Sequence, residues 1–103
     1  MSLKIDSLQN EKIKNIVKLR VSGRERQRQG LFLIEGWREV NLALAAGVKI
    51  ASLFYCADYG QQRPVLADEK IIEVAKKVFA KISYRENQDG FLAVAKIKEL
   101  KLK

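Results

Sequence analysis

The apolar run Leu31-Phe32-Leu33-Ile34, closed by Gly30 on one side and by Glu35-Gly36 on the other, constrains the fold more than any other stretch of this chain. Four consecutive large apolar residues without polar alternation predict a strand covered on both faces, so helices must lie above and below it. The run also bears on the segment before it. Seven of the seventeen residues from Lys12 to Arg28 are Lys or Arg, against the single acid Glu25. A positive field of that density is not something folding requires, and the strand that follows is too apolar for a disordered basic arm. The charges are therefore expected on the surface of a folded domain, where phosphate is the natural counterpart.

The periodicity of the remaining segments completes the layered reading. Asn10 can cap a helix in which Ile13, Ile16 and Val17 keep i,i+3,i+4 spacing, with Glu11, Lys14, Asn15 and Lys18 outward and Gly23 as its end. Arg24 to Gly30 has neither stripe nor alternation and reads as an exposed loop, mobile without ligand. Trp37 to Ala46 is a helix with Val40 and Leu44 on one face and Gly47 placed as its left-handed terminator. Ile50 to Cys56 is a strand, Asp58-Tyr59-Gly60 a turn, and Pro64 can open a short helix through Val65, Leu66 and Ala67. Lys70 to Val74 is a strand, after which the period switches: Ala75, Val78, Phe79 and Ile82 form a helical stripe with Lys76, Lys77 and Lys81 facing out. Ser83-x-x-Glu86 has capping-box spacing, Asp89-Gly90 is a turn, and Phe91 to Ile97 is the last strand. The order predicts an α/β protein, a three-layer α/β/α sandwich around a small four-stranded mixed sheet.

Composition then removes several function classes. A chain of 103 residues with 48% apolar content, one Pro and six Gly can bury a modest core as a single domain. The single Cys56 excludes an internal disulfide framework and suits a reducing cytoplasm, and a chain with no His and one Cys makes a zinc site an unsuitable assignment. No apolar run approaches the roughly 20 residues of a membrane span, and the first ten residues carry charges where a signal sequence would be apolar. General acid-base or nucleophilic chemistry finds no His, no S-x-x-K and no glycine-rich phosphate loop, so no catalytic residue is assigned. Cys56 ends an apolar strand and reads as a small core residue.

The net charge of +8 is uneven: residues 1–38 carry net +5 and residues 39–103 net +3. Solubilisation alone accounts for many such surfaces. Against it stands the Lys14/Lys18 pair, which at i,i+4 on a helix repels by a few tenths of a kcal/mol, about 0.2–0.5, unless a polyanion relieves it.

The ordered set Asn10-x-x-Ile13-Lys14-x-x-x-Lys18-Leu19-Arg20, Arg24-x-Arg26, Gly30-x-Phe32-Leu33-Ile34-Glu35-Gly36 and Gly90-Phe91-Leu92-Ala93-Val94 resembles the N-terminal substrate-binding domain of SpoU/TrmH-type RNA 2'-O-ribose methyltransferases, over nearly the whole chain. The resemblance implies an α/β/α fold similar to ribosomal proteins that bind kink-turn RNA, and a partner in structured ribosomal or transfer RNA. It also implies that S-adenosylmethionine binding, catalysis and homodimer contacts belong to a separate knotted C-terminal domain, whose N-x-G-x-x-x-R segment this sequence lacks. Residues 1–97 would then be the RNA-binding domain, and residues 98–103 the start of a linker.

On this reading Lys14 and Lys18 meet phosphates from the first helix, while Arg20, Arg24, Arg26 and Arg28 close around the RNA backbone. Gly36 would let a phosphate approach a helix N-terminus with Arg38 one turn in, a plain strand-to-helix turn being the alternative. Tyr84 and Arg85 form a lesser pair for stacking and phosphate contact. Trp37 is expected in the core, and Glu35, out of place on a basic surface, is expected to serve a backbone amide or an Arg. Two other readings stay open: a stand-alone structural kink-turn RNA-binding protein, and a protein-interaction module whose basic face meets an acidic partner.

Overall fold

The computed structural model describes residues 4–59, 66, 68–85 and 89–97. Asn10 caps the first helix, α1 (Glu11–Val21), by accepting the Lys12 amide at 2.8 Å, and Ile13, Ile16 and Leu19 turn inward. α1 ends at Ser22, not at Gly23, because Ser22 closes α1 with its own N–H and caps a second helix by accepting the Glu25 amide. Arg24 to Gly30 is therefore not a loop. Gly23–Gln29 forms α2, ended by Gly30 in the left-handed conformation at φ 67°.

Strand β1 (Leu31–Glu35), helix α3 (Trp37–Ala45), strand β2 (Ile50–Tyr55), strand β3 (Ile71–Glu73), helix α4 (Lys76–Ile82) and strand β4 (Phe91–Lys96) follow. Short 3-10 turns occupy Ala57–Tyr59 and Asp68–Lys70. The expected helix opened by Pro64, the Glu86 half of the capping box and the 98–103 linker lie outside the described residues. Ser83 itself ends α4 in an extended conformation.

The sheet runs β1-β4-β2-β3, antiparallel at β1/β4 and β4/β2 and parallel at β2/β3, so it is mixed and four-stranded as the sequence implied. β4 is the central strand and is buried from Phe91 to Ala95. β1, by contrast, is an edge strand and is only half-covered: Leu31 and Leu33 pack on one face, Phe32 and Ile34 on the other. One core lies between the sheet and α1 with α4, built on Ile16, Leu19, Phe54, Phe79 and Leu92. The other lies under α3, where Val40 meets Leu53, Phe91 and Ala93. Trp37 packs into this second core with its ring 4.8 Å from that of Phe91. Cys56 is fully buried in the first, and that burial pushes its thiol pKa up, which suits a core residue.

Candidate nucleic-acid interface

α1 and α4 lie side by side on one face of the sheet, since both send their apolar stripes into the same core. Their C-terminal ends are tied together by Arg20, whose guanidinium donates to the carbonyls of Lys81 at 2.9 Å and Ser83 at 3.4 Å. The outward faces carry Lys14 and Lys18 on α1, and Lys77 and Lys81 on α4, all exposed and each pair spaced by one turn. Among the described residues none of the four side chains makes a hydrogen bond or ion pair. Lys18 and Lys81 in the last turns complement the helix dipoles, which folding alone explains. Lys14 and Lys77 have no such role, and each faces a like charge at i+4. The outward direction of the α4 lysines is legible in the sequence, but only the sheet order places α4 beside α1.

The arginines divide into two kinds. Arg26 donates through Nη1 to the carbonyls of Leu19 at 2.6 Å and Arg20 at 3.0 Å, so it caps the end of α1. Arg20 and Arg26 thus hold helix ends, and their charge reaches the surface only in part. Arg24, Arg28 and Arg38 are exposed. Arg24 and Arg38 have no side-chain partner among the described residues, whereas Arg28 holds Glu25 through two hydrogen bonds of 3.0 and 2.7 Å. Gln29 donates to the same carboxylate and exchanges an amide pair with Asn15 of α1. This polar chain, not a buried stripe, seats α2 against α1, for α2 has no buried residue.

The hydrogen bond from Arg28, then that from Gln29, lowers the Glu25 pKa from the ordinary 4.5 to about 2. A carboxyl whose pKa is lower in the folded chain stabilises the fold above the unfolded value and loses that contribution as pH falls through the folded one. The seat of α2 is thus expected to hold at pH 5 and to loosen as pH falls from 4.5 toward about 2. Carbon chemical shifts of Gly23–Gln29 would follow this loosening, and Glu25→Gln should remove its inflection.

The start of α3 is already filled from within the chain. Asp89 accepts the Trp37 amide at 2.8 Å, and Arg85 Nη1 donates to the Glu35 carbonyl at 3.1 Å and pairs with Glu39 at 3.3 Å. Gly36 has φ 104°, and a Cβ there would collide with the Arg85 guanidinium and the Glu39 carboxylate. Glycine is needed at this position to seat Arg85, and the phosphate approach expected there meets Arg85 and Asp89 instead. Glu35 is buried and accepts from the Tyr84 amide at 3.1 Å and from the Ser83 hydroxyl. It serves a backbone amide and a hydroxyl, while the Arg takes its carbonyl.

Grooves open on the surface of the described residues. One, of about 470 Å³, is lined by Phe32, Ala46, Gly47, Val48, Lys49, Lys96 and Ile97. Another, of about 440 Å³, is lined by Leu19, Arg20, Arg26, Phe32, Leu33 and Tyr84. Neither lining contains a carboxylate, and both are cationic. Among the described residues no helix is long and apolar enough to cross a membrane.

This α/β/α arrangement is shared with RNA methyltransferases. A crystal structure of an RNA 2'-O ribose methyltransferase superposes with a TM-score of 0.80 at 31% identity, covering 98% of this chain and 40% of the other. The AdoMet-bound rRNA methyltransferase from Sinorhizobium meliloti gives a TM-score of 0.76 at 26% identity, covering 94% of this chain and 37% of the other. The SpoU methyltransferase AviRb from Streptomyces viridochromogenes, solved with AdoMet, shares the fold at a TM-score of 0.65 and 21% identity, covering 86% of this chain and 34% of its own. No curated protein matches in sequence. The chain belongs to the family of MRM3-like substrate-binding domains, whose profile matches residues 10–93. It spans 40% or less of the length of these solved structures.

Proposed function

We propose that this domain docks structured RNA for a SpoU-type 2'-O-ribose methyltransferase, with the α1/α4 lysine face as the main contact and Arg24 and Arg28 of α2 at its rim. The observation that carries the reading is the pair of lysine rows, Lys14/Lys18 and Lys77/Lys81, unpaired among the described residues and brought together by two helices that have no folding need for all four charges. Membership of a substrate-binding domain family supports it. Ribosomal RNA is the favoured substrate over transfer RNA, because the Sinorhizobium meliloti relative is an rRNA methyltransferase. Methyl transfer, S-adenosylmethionine and dimer contacts are assigned to another domain of the parent protein. That domain would supply the methyl donor, and this one would hold and orient the RNA.

The test is a fluorescence-anisotropy titration with a structured ribosomal RNA fragment, a transfer RNA and a matched DNA duplex from about 50 to 200 mM salt. If about four phosphates are neutralised, log K should fall with log salt at a slope of about −3 to −4, with RNA preferred. Equal affinity for the DNA duplex, or a slope near zero, would reject RNA docking on this face.

A further inference from the structure

The groove beside β1 combines three features that the docking face does not use. The first is Tyr84, 62% exposed although the segment that carries it is fastened down. Its amide donates to Glu35 Oε1, the Ser83 hydroxyl before it donates to Glu35 Oε2, and Arg85 after it holds the Glu35 carbonyl. The ring has no hydrogen bond through its phenol among the described residues. A large ring left mostly in water on an immobilised base gains the protein little burial, yet it offers a flat face at low entropic cost.

The second feature is cationic. Arg26 is already oriented by two carbonyls through Nη1, which leaves Nε and Nη2 without partners among the described residues. Arg20 spends both terminal nitrogens on the end of α4, and its buried Nε has no acceptor among the described residues. Both guanidiniums line the groove.

The third is backbone. Gly36 donates to the Phe91 carbonyl and Ile97 to the Gly30 carbonyl, so in this antiparallel register Leu31, Leu33 and Glu35 direct their N–H and C=O groups away from β4, toward the free edge. The Glu35 carbonyl is taken by Arg85, and Leu33 is the edge residue that lines the groove. The open edge is thus too short for a peptide strand to add to the sheet, since Arg85 closes one end of it. What remains matches one planar group with a donor and an acceptor on its rim and an anion attached.

We infer that this groove receives one unpaired nucleotide of the docked RNA, its base stacked on Tyr84 with its rim toward the Leu33 backbone and its phosphate on Arg26. The inference rests on the RNA-docking reading and adds a requirement to it: the preferred RNA carries an extruded base. Glu35 is then a positioning residue, holding the stacking platform from inside the fold.

The experiment compares an RNA hairpin bearing a single-nucleotide bulge with the same hairpin fully paired, using the wild-type chain and the variants Tyr84→Ala and Tyr84→Phe, with circular dichroism confirming each fold. Loss of one base-aromatic stack corresponds to roughly a 5- to 100-fold change in affinity. The wild type should prefer the bulged hairpin within that range, Tyr84→Ala should lose the preference while binding the paired hairpin as before, and Tyr84→Phe should keep it. A 2-aminopurine placed in the bulge should change its fluorescence on binding to the wild type and to Tyr84→Phe only. Equal wild-type affinity for the two hairpins, or an equal loss on both in Tyr84→Ala, overturns the nucleotide site and leaves RNA docking standing. No binding to either hairpin overturns both.

Discussion

Neutralising Lys14, Lys18, Lys77 and Lys81 to Gln together is expected to lower affinity for structured RNA by about two orders of magnitude near 100 mM salt and to flatten the salt slope by about 3, at roughly 0.7 to 0.9 for each phosphate no longer neutralised. The fold should barely register the change. Two like-charge i,i+4 repulsions disappear, each worth about 0.2–0.5 kcal/mol, while Lys18 and Lys81 give up dipole interactions of about 0.3–1 kcal/mol each, so the terms largely cancel. Gln has nearly the helix propensity of Lys. A matched control removes the exposed Lys49 and Lys96, which line the other groove. Set against a Lys77/Lys81 double variant with the same change in net charge, it separates a local interface from a general attraction. Anisotropy against one rRNA fragment, with thermal melts alongside, makes the measurement. If the two double variants weaken binding equally, the α1/α4 face is not the docking surface.

The contrast between these lysines and the arginines shows what could be read in the chain and what could not. Strands β1, β2 and β4 and helices α1, α3 and α4 follow from period and punctuation, because each buries a stripe whose spacing is visible in sequence. α2 escaped that logic. Its residues GRERQRQ bury nothing, and the helix is held by Ser22 at its start, by Glu25 with Arg28 and Gln29 along its side, and by Gly30 at its end. Ser22-x-x-Glu25 has capping-box spacing, a local signal that the search for an apolar stripe does not use.

Arg20 and Arg26 were only partly legible, for a different reason. A guanidinium that caps a helix and one that waits for phosphate look alike in a sequence, and only the geometry of the α1 and α4 ends distinguishes them. The union of the lysine rows was illegible for a third reason: α1 and α4 are more than fifty residues apart and meet only because β4 inserts between β1 and β2. Glu35 could be marked as out of place on a basic surface, but its partners at Ser83 and Tyr84 are set by the same long-range closure.

That closure gives Glu35→Ala a large expected cost to the fold. Glu35 is 4% exposed, and its removal leaves the buried Ser83 hydroxyl and the Tyr84 amide without their acceptor. Hydrogen bonds to a charged group contribute about 1.5–3 kcal/mol each, and a buried donor left unsatisfied costs about 1–3 kcal/mol, so with overlap between these terms a loss of about 2–4 kcal/mol is expected. For a domain of this length that is a fall in melting temperature of roughly 10–25 °C. The nearby Arg85–Glu39 bridge cannot compensate, because both side chains are partly exposed and such pairs contribute about 0–1 kcal/mol. Glu35→Gln keeps the shape and one carbonyl acceptor, and the Ser83 hydroxyl can turn to accept from the new amide, so its cost should be about 1 kcal/mol. Urea unfolding of the two variants measures both values. The milder variant also tests the link to function, for if Glu35 fixes the segment that carries Tyr84, the folded Glu35→Gln protein should show a reduced preference for the bulged hairpin with unchanged affinity for the paired one. A Glu35→Ala protein as stable as the wild type would mean that Ser83–Arg85 is held by other contacts and that the buried carboxylate does not anchor the platform.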